Sequence, residues 1–240
     1  MDEVLNHDIE HDNPKRQLLR LLRILTSFYS YRELERRLNI PENTLWKYYS
    51  LKVMPEKETA VKLLKKIEES GLLDSIIKDL ARDKGYETIL SGNIGIYELI
   101  SYMISNTVRN MKIGKVFALP DNYSAIIASL IAMDNRLKLC LSDQNIVLID
   151  SICHTVVVNN RPVSICYSKE CLDKKHKSIV VGLMYSTSFV TEIYRFLSKY
   201  KQRVVGFYFM FGNGVKEPVI QGVEDVEKPF IKIFFNGSNI

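Results

Sequence analysis

The feature that most constrains the fold is an alternation of strand-like and helix-like segments that begins after Gly95. Runs rich in β-branched and aromatic residues, such as Ser178–Met184 and Val204–Phe211, predict buried strands. Helical periodicity marks the segments Tyr123–Met133 and Phe189–Tyr200. Strands that alternate with helices in this way predict a mainly parallel sheet that is covered by helices.

The N-terminal part of the chain shows helical periodicity alone. Ser30 and Glu33 have the spacing of a capping box, in which each residue satisfies a backbone N–H near the start of a helix. We therefore expect an all-α domain followed by an α/β domain, an α+β two-domain chain overall. The predicted helices of the first domain are Leu18–Leu25, Tyr31–Leu38, Pro41–Tyr49, Glu56–Ser70 and Leu72–Arg82.

Composition excludes several classes of protein. No run of 18 apolar residues is present, and the N-terminus lacks the pattern of a signal peptide, so we expect a cytoplasmic protein without a membrane span. The cysteines form no C-x-x-C pair and their spacing does not fit a zinc site, so reduced structural thiols are expected. No metal, cofactor or catalytic residue is predicted. The four cysteines are Cys140, Cys153, Cys166 and Cys171.

Charge is distributed unevenly along the chain, although the net charge is only +5. Residues 1–14 carry five acidic residues and no Lys or Arg, whereas residues 15–82 carry 15 Lys or Arg against nine acidic residues. A local basic excess favours a nucleic-acid contact. A solvated helical surface would show the same pattern, so charge alone does not decide the function.

The segment Tyr31–Tyr49 has the periodicity of a helix-turn-helix. Leu34, Leu38 and Leu45 would face inward, which leaves the outer face of the second helix for the major groove of double-stranded DNA. A small helical bundle for protein contacts, or an RNA-binding module, is the alternative interpretation. The predicted base-edge contacts are Glu42, Asn43, Trp46 and Lys47, and the predicted phosphate contacts are Arg32, Arg36, Arg37 and Lys52.

Two stretches of the chain resemble known families. The loop Ser50–Pro55 and the helix after it resemble repressor-like helix-turn-helix domains, and this likeness covers residues 15–70. The strand and helix spacing over residues 93–210 resembles the type I phosphoribosyltransferase fold. It is most similar to the orotate phosphoribosyltransferase-like domains that are fused to a helix-turn-helix in archaeal regulators.

This resemblance implies a ligand site after Ser178–Val181. In the family that strand ends in two acidic residues, which hold ribose hydroxyls, and the loop that follows holds a 5-phosphate. The acidic pair falls here on Gly182 and Leu183, which lack carboxylates. The resemblance therefore implies a phosphate or ligand site without transfer chemistry, formed by Ser186, Thr187, Ser188 and Thr191. The turn Pro120–Ser124 lies where the family contacts pyrophosphate, and it contains no glycine.

Together these observations predict a DNA-binding transcription regulator, not an enzyme, that acts as a homodimer. The degenerate phosphoribosyltransferase-like domain would serve dimerisation or sense a nucleotide or phosphoribosyl effector. The alternatives are an active phosphoribosyltransferase of nucleotide metabolism and an RNA-binding or protein-interaction module. The predicted division is an acidic tail at 1–14, a helix-turn-helix domain at 15–83, a linker at 84–93 and the phosphoribosyltransferase-like domain at 94–240.

Overall fold

The computed structural model of the chain describes residues 13–83, 89–91, 93–142, 150–158, 161–222 and 228–237. These residues form two compact units that divide between Leu99 and Ile100. Residues 1–12 of the predicted acidic tail and residues 84–88 and 92 of the predicted linker lie outside the described residues. The predicted domain bounds therefore remain predictions.

The first unit is helical, as the periodicity predicts. Asn13 caps the first helix by accepting a 3.0 Å hydrogen bond from the Lys15 N–H. Ser30 and Glu33 form the predicted capping box, and Asn39 ends that helix in the left-handed conformation, with φ of 47°. The helices are α1 (Pro14–Thr26), α2 (Tyr31–Leu38), α3 (Glu42–Tyr49), α4 (Lys57–Glu69) and α5 (Leu72–Asp83).

The core of this unit forms where α1 packs against α3 and α4. Leu18 and Leu21 of α1 are fully buried, and so are Leu34 and Leu38 of α2 and Leu45 of α3. The inward positions expected for a helix-turn-helix are therefore buried. The same burial is what a plain helical bundle requires, so the core does not distinguish the two.

The second unit combines helices with strands, and α6 (Ile94–Val108) leads into it. The other helices are α7 (Asn122–Asn135) and α8 (Thr187–Lys199). The strands are β1 (Ile113–Ala118), β2 (Lys138–Leu141), β3 (Ser151–Val158), β4 (Arg161–Ser168), β5 (Lys177–Met184), β6 (Arg203–Asn213) and β7 (Phe230–Gly237). Within the described residues, no helix is long and apolar enough to cross a membrane.

The strands confirm the expected parallel sheet. In the described part of the chain the main sheet has the order β2-β1-β5-β6-β7, and every neighbouring pair is parallel. β3 and β4 form a separate antiparallel hairpin. Residues 219–220 lack regular structure and 221–222 form a turn.

Successive side chains of each strand pack on opposite faces of the main sheet. Phe117 of β1 and Val180 of β5 belong to a buried cluster with Val190 and Phe196 of α8 and with Tyr167 of the hairpin. Their strand neighbours point to the other face, because successive side chains of a strand alternate. Helix α7 packs against β1, β2 and β5.

The cysteines are paired, which corrects the expectation of reduced thiols. Cys153 and Cys166 stand opposite each other in the hairpin and form one disulfide. Cys140 of β2 and Cys171 form the other. Cys140 precedes the hairpin and Cys171 follows it. One disulfide therefore joins the two strands of the hairpin, and the other joins the chain segments on either side of it.

The amino edge of the sheet is fixed by a buried lysine. The Lys115 ammonium group donates to the Cys171 carbonyl at 3.0 Å and to the Gln202 Oε1 atom at 3.3 Å, and it also donates to the Asp173 carboxylate. These bonds satisfy a charge that would otherwise be costly to bury. The hydrogen bond from Lys115 lowers the pKa of Asp173.

Candidate functional site

A crevice is expected where the chain changes direction across the sheet. The chain leaves β1 through α7 and reaches β2 on one side, whereas it leaves β5 through α8 and reaches β6 on the other. Ligands of open parallel sheets bind beyond the carboxyl ends of the strands at such a switch point. The two loops begin together, because the Leu119 N–H donates to the Val181 carbonyl at 2.9 Å.

The turn between β5 and α8 presents an open helix start. Ser186 occupies the N-cap position, but its side chain makes no capping hydrogen bond. Its hydroxyl lies 3.1 Å from the hydroxyl of Ser188. The first N–H groups of an α-helix have no intrahelical partner, and this end of the helix carries partial positive charge. The turn therefore offers backbone and hydroxyl donors to an anion.

Three contacts of Tyr185 support this turn. The Tyr185 N–H donates to the Phe211 carbonyl at 2.8 Å, which ties the end of β5 to the end of β6. The Tyr185 hydroxyl lies 3.0 Å from the Thr187 Oγ1 atom, and it accepts from the Val219 N–H at 2.9 Å. Sequence patterns did not identify Tyr185 or Val219, because no local signal joins residues 34 positions apart.

Thr191 lies one helical turn further on and has a different role. Its hydroxyl donates to the Thr187 carbonyl at 2.7 Å and accepts from the Gln221 N–H at 3.0 Å. The side chain is almost fully buried. Of the four residues predicted to bind phosphate, Ser186, Thr187 and Ser188 thus form the turn itself, and Thr191 holds the chain around Gln221 beside it.

Packing explains why no acidic residue stands at position 182. A Cβ atom on Gly182 would lie 2.5 Å from a ring carbon of Phe209 and 2.6 Å from a methyl carbon of Leu119. Any side chain at this position requires those neighbours to move. Leu183, the second position, is only half-buried. The absence of an acid at residue 182 is therefore part of how the sheet packs.

The turn between β1 and α7 contains a carboxylate that the sequence patterns did not identify. Asp121 is the N-cap of α7 and accepts from the Ser124 N–H at 2.7 Å and from the Ser124 hydroxyl. These two bonds fix the start of α7. The spacing of Asp121 and Ser124 before an apolar helix was the signal that could have revealed this cap.

Burial dominates the electrostatics of Asp121. Desolvation raises the pKa of its carboxyl group, although hydrogen bonds from Ser124, Tyr123 and Leu183 act in the opposite direction. Burial likewise raises the pKa of Tyr167, whose hydroxyl donates to the Ala118 carbonyl at 2.9 Å. The groups beside this turn are therefore well shielded from water.

The residues predicted to contact DNA are all exposed. The Lys52 ammonium lies 4.2 Å from the centre of the Trp46 ring, and the Arg37 guanidinium lies 4.6 Å from the centre of the Tyr29 ring. These cations stack on the helical unit itself. The exposed set consists of Arg32, Arg36, Arg37, Glu42, Asn43, Trp46, Lys47 and Lys52.

Comparisons with known proteins give similarity in structure alone. No protein-family description and no curated protein matches the sequence. Adenine phosphoribosyltransferase from Rhodothermus marinus matches with a TM-score of 0.52 at 10% identity, over 70% of this chain and 99% of that one. The enzyme from Trypanosoma brucei, solved with AMP, pyrophosphate and ribose-5-phosphate, gives 0.53 at 11%, over 64% and 68%. The enzyme from Giardia lamblia, solved with 9-deazaadenine, gives 0.50 at 12%, over 65% and 89%.

These neighbours correct the functional prediction. They are enzymes, and none is a helix-turn-helix regulator, so the predictions of a DNA-binding transcription regulator and of a protein without enzymatic activity are wrong. The DNA-binding prediction depended on helical periodicity and basic charge, and an ordinary helical bundle has both. The α/β part of the prediction is confirmed. The chain has the type I phosphoribosyltransferase fold that the adenine phosphoribosyltransferases share.

Proposed function

We propose that this chain is an enzyme that acts on a phosphoribosyl substrate, in the manner of a phosphoribosyltransferase. The observation that carries the proposal is the open start of α8 at the switch point of the sheet. Ser186 leaves that helix end without a side-chain cap, and Ser188 adds a second hydroxyl. This arrangement suits the 5-phosphate of a sugar phosphate.

The geometry of the turn favours one phosphate group held by several donors. The N–H groups of Thr187 and Ser188 belong to the first turn of a helix of 13 residues, so the dipole of the whole helix supports an anion there. Thr187 is held by the Tyr185 hydroxyl, which fixes the turn before a ligand arrives. Such preorganisation lowers the entropic cost of binding.

Adenine is the first base to test. The similar structures are adenine phosphoribosyltransferases, and one of them contains AMP, pyrophosphate and ribose-5-phosphate. A transfer reaction on this pattern joins the base nitrogen to C1 of the ribose as the bond from C1 to the leaving phosphoryl oxygen breaks.

Turnover is expected to be slow because the ribose has fewer fixed partners. Gly182 and Leu183 offer no carboxylate to the ribose hydroxyls, and the packing of Phe209 leaves no room for one at residue 182. Loss of substrate positioning costs orders of magnitude in rate. The expected signature is a low turnover number together with measurable phosphate affinity.

The direct test is the formation of AMP from adenine and phosphoribosyl pyrophosphate, measured by chromatography. The reverse reaction is a second readout. The double variant Ser186→Ala/Ser188→Ala should lose at least about tenfold in turnover efficiency, since charge-assisted hydrogen bonds are lost. Ser198→Ala, at the exposed last turn of α8, is the matched control and should retain full activity. No product with adenine or any other nucleobase would refute the proposal.

We also propose that residues 94–240 form the phosphoribosyltransferase-like domain, that residues 15–83 form a separate helical domain, and that 84–93 link them. The division between Leu99 and Ile100 is compatible with this arrangement.

The proposed assembly is a homodimer. Light scattering after size exclusion should give twice the mass of the 27.8 kDa chain, and a monomer mass at micromolar concentration would contradict it.

A further inference from the structure

The two disulfides of the chain stand in different surroundings. Cys140 and Cys171, which form one bridge, are 0% and 5% exposed. In the other bridge Cys166 is also nearly buried, but Cys153 is exposed to solvent. A disulfide is reduced when a thiolate reaches one of its sulfur atoms, so access determines which bridge can react in the folded protein. This criterion selects the bridge between Cys153 and Cys166.

The exposed bridge lies on the face of the hairpin that does not carry the core. Ile165 and Tyr167 of β4 are fully buried and belong to the hydrophobic cluster of the second unit. Side chains alternate between the two faces along a strand, so Cys166, which stands between them in sequence, points to the other face together with its cross-strand partner Cys153. The core packing of the hairpin therefore does not require this disulfide.

We propose that Cys153–Cys166 is a site of reversible thiol–disulfide exchange, which a dithiol reduces while the protein stays folded, and that its reduction loosens β3. The Cys140–Cys171 bridge stays closed under the same conditions and keeps the segments on either side of the hairpin joined. The reaction involves no ligand at the turn Ser186–Ser188, so it is independent of the proposed function.

The exchange takes two steps. A thiolate of the dithiol attacks the exposed sulfur of Cys153, the S–S bond breaks, and Cys166 leaves as a thiolate that takes a proton from water. The second thiol of the reductant loses its proton and attacks the mixed disulfide, which releases Cys153 as a thiol. Two electrons thus pass from the dithiol, which becomes a disulfide, to the two cysteines. The neighbouring outer-face pair, Thr155 and Ser164, is uncharged and does not repel the incoming thiolate.

β3 is the strand that depends on the bridge. Among the described residues it pairs with β4 alone. β4 is held from its buried side, where the Tyr167 hydroxyl donates to the Ala118 carbonyl at 2.9 Å. β3 packs on α8, where the ring of His154 stacks on the ring of Phe196 with 5.2 Å between their centres. Since a two-stranded hairpin is weak by itself, loss of the covalent link should free β3 more than β4.

The first test measures which cysteines a dithiol reduces. The oxidised full-length chain is incubated with dithiothreitol without denaturant, free thiols are trapped with N-ethylmaleimide, and the labelled cysteines are located by peptide mass spectrometry. Cys153 and Cys166 should be labelled together, at least about tenfold faster than Cys140 and Cys171. Replacing the reductant with oxidised glutathione should restore the same pairing.

Several results of this labelling would overturn the proposal. They are equal rates for the two bridges, faster reduction of the buried bridge, reduction only when the chain unfolds, and four free thiols in protein that has met no reductant. Re-formation with exchanged partners would also contradict reversibility at this site.

The second test follows β3 by hydrogen exchange of its backbone amides. In the reduced wild type and in Cys153→Ala/Cys166→Ala, residues 151–158 should exchange at least about threefold faster than in the oxidised wild type, with β5 unchanged. Thr155→Ala/Ser164→Ala alters the neighbouring cross-strand pair on the same face and is the matched control. It should keep the exchange rate of the oxidised wild type. No change on reduction, or an equal rise in the control, would overturn the role of the bridge in holding β3.

Discussion

The β1–α7 turn and the β5–α8 turn start from neighbouring parallel strands, yet they differ in what satisfies the helix start. Asp121 caps the first helix with hydrogen bonds from the N–H and hydroxyl groups of Ser124, and Ser186 leaves the second helix without a side-chain cap. The comparison shows that the N-cap residue determines whether a helix start at the switch point keeps its N–H groups open. Substitutions in the two turns can therefore be compared with each other.

The largest effect is expected when an acid is placed at the end of β5. Gly182→Asp forces a carboxylate against Phe209 and Leu119 in a buried position. The free energy of unfolding should fall by more than about 3 kcal/mol, from overpacking and an unpaired buried charge. Urea denaturation measures it, and Leu183→Asp, at a half-buried position, should cost much less. A Gly182→Asp variant that is as stable as the wild type and turns over faster would contradict this account of how Gly182 packs.

A smaller effect separates the two N-caps directly. Asp121→Ala removes the cap of α7, so a loss of about 1–2 kcal/mol of stability is expected. Ser186→Ala removes no capping bond, and stability should change by less than about 0.5 kcal/mol while phosphate affinity falls. Thermal and urea unfolding of both variants provide the readout. Equal losses of stability would mean that Ser186 also caps its helix.

The smallest effect concerns pH. The pKa of Asp121 is raised by burial, so its contribution to stability is present at acidic pH and is lost as pH rises through the raised pKa. The pKa of Asp173 is lowered by Lys115, so that contribution is present above the ordinary carboxyl range and is lost as pH falls. In unfolding measured from pH 3 to pH 7, Asp121→Asn should gain stability relative to the wild type as pH rises, whereas Asp173→Asn should lose stability relative to it.

Sequence alone was sufficient for features that depend on neighbours along the chain. The capping box of Ser30 and Glu33 and the bounds of α2 follow from local spacing. The strands Ser178–Met184 and Val204–Phe211 follow from their apolar runs, and both were found close to β5 and β6. Local energetics determine these elements, so a single sequence is enough to predict them.

Features of the site that depend on distant residues were not accessible in this way. The contact between the Tyr185 hydroxyl and the Val219 N–H joins residues 34 positions apart, and the packing of Gly182 depends on Phe209 of β6. The prediction of a DNA-binding regulator was wrong for the opposite reason, since the local signal that it used is shared by ordinary helical bundles.

The central claim is that the open turn at Ser186–Ser188 receives the phosphate of a phosphoribosyl ligand. A crystal structure of the protein soaked with ribose 5-phosphate tests it most directly. We predict that the phosphate lies on the N–H groups at the start of α8, within hydrogen-bonding distance of the Ser186 and Ser188 hydroxyls, and that Asp121 keeps its bonds to Ser124. A phosphate seated at the start of α7, or no bound ligand at millimolar concentration, would contradict the claim.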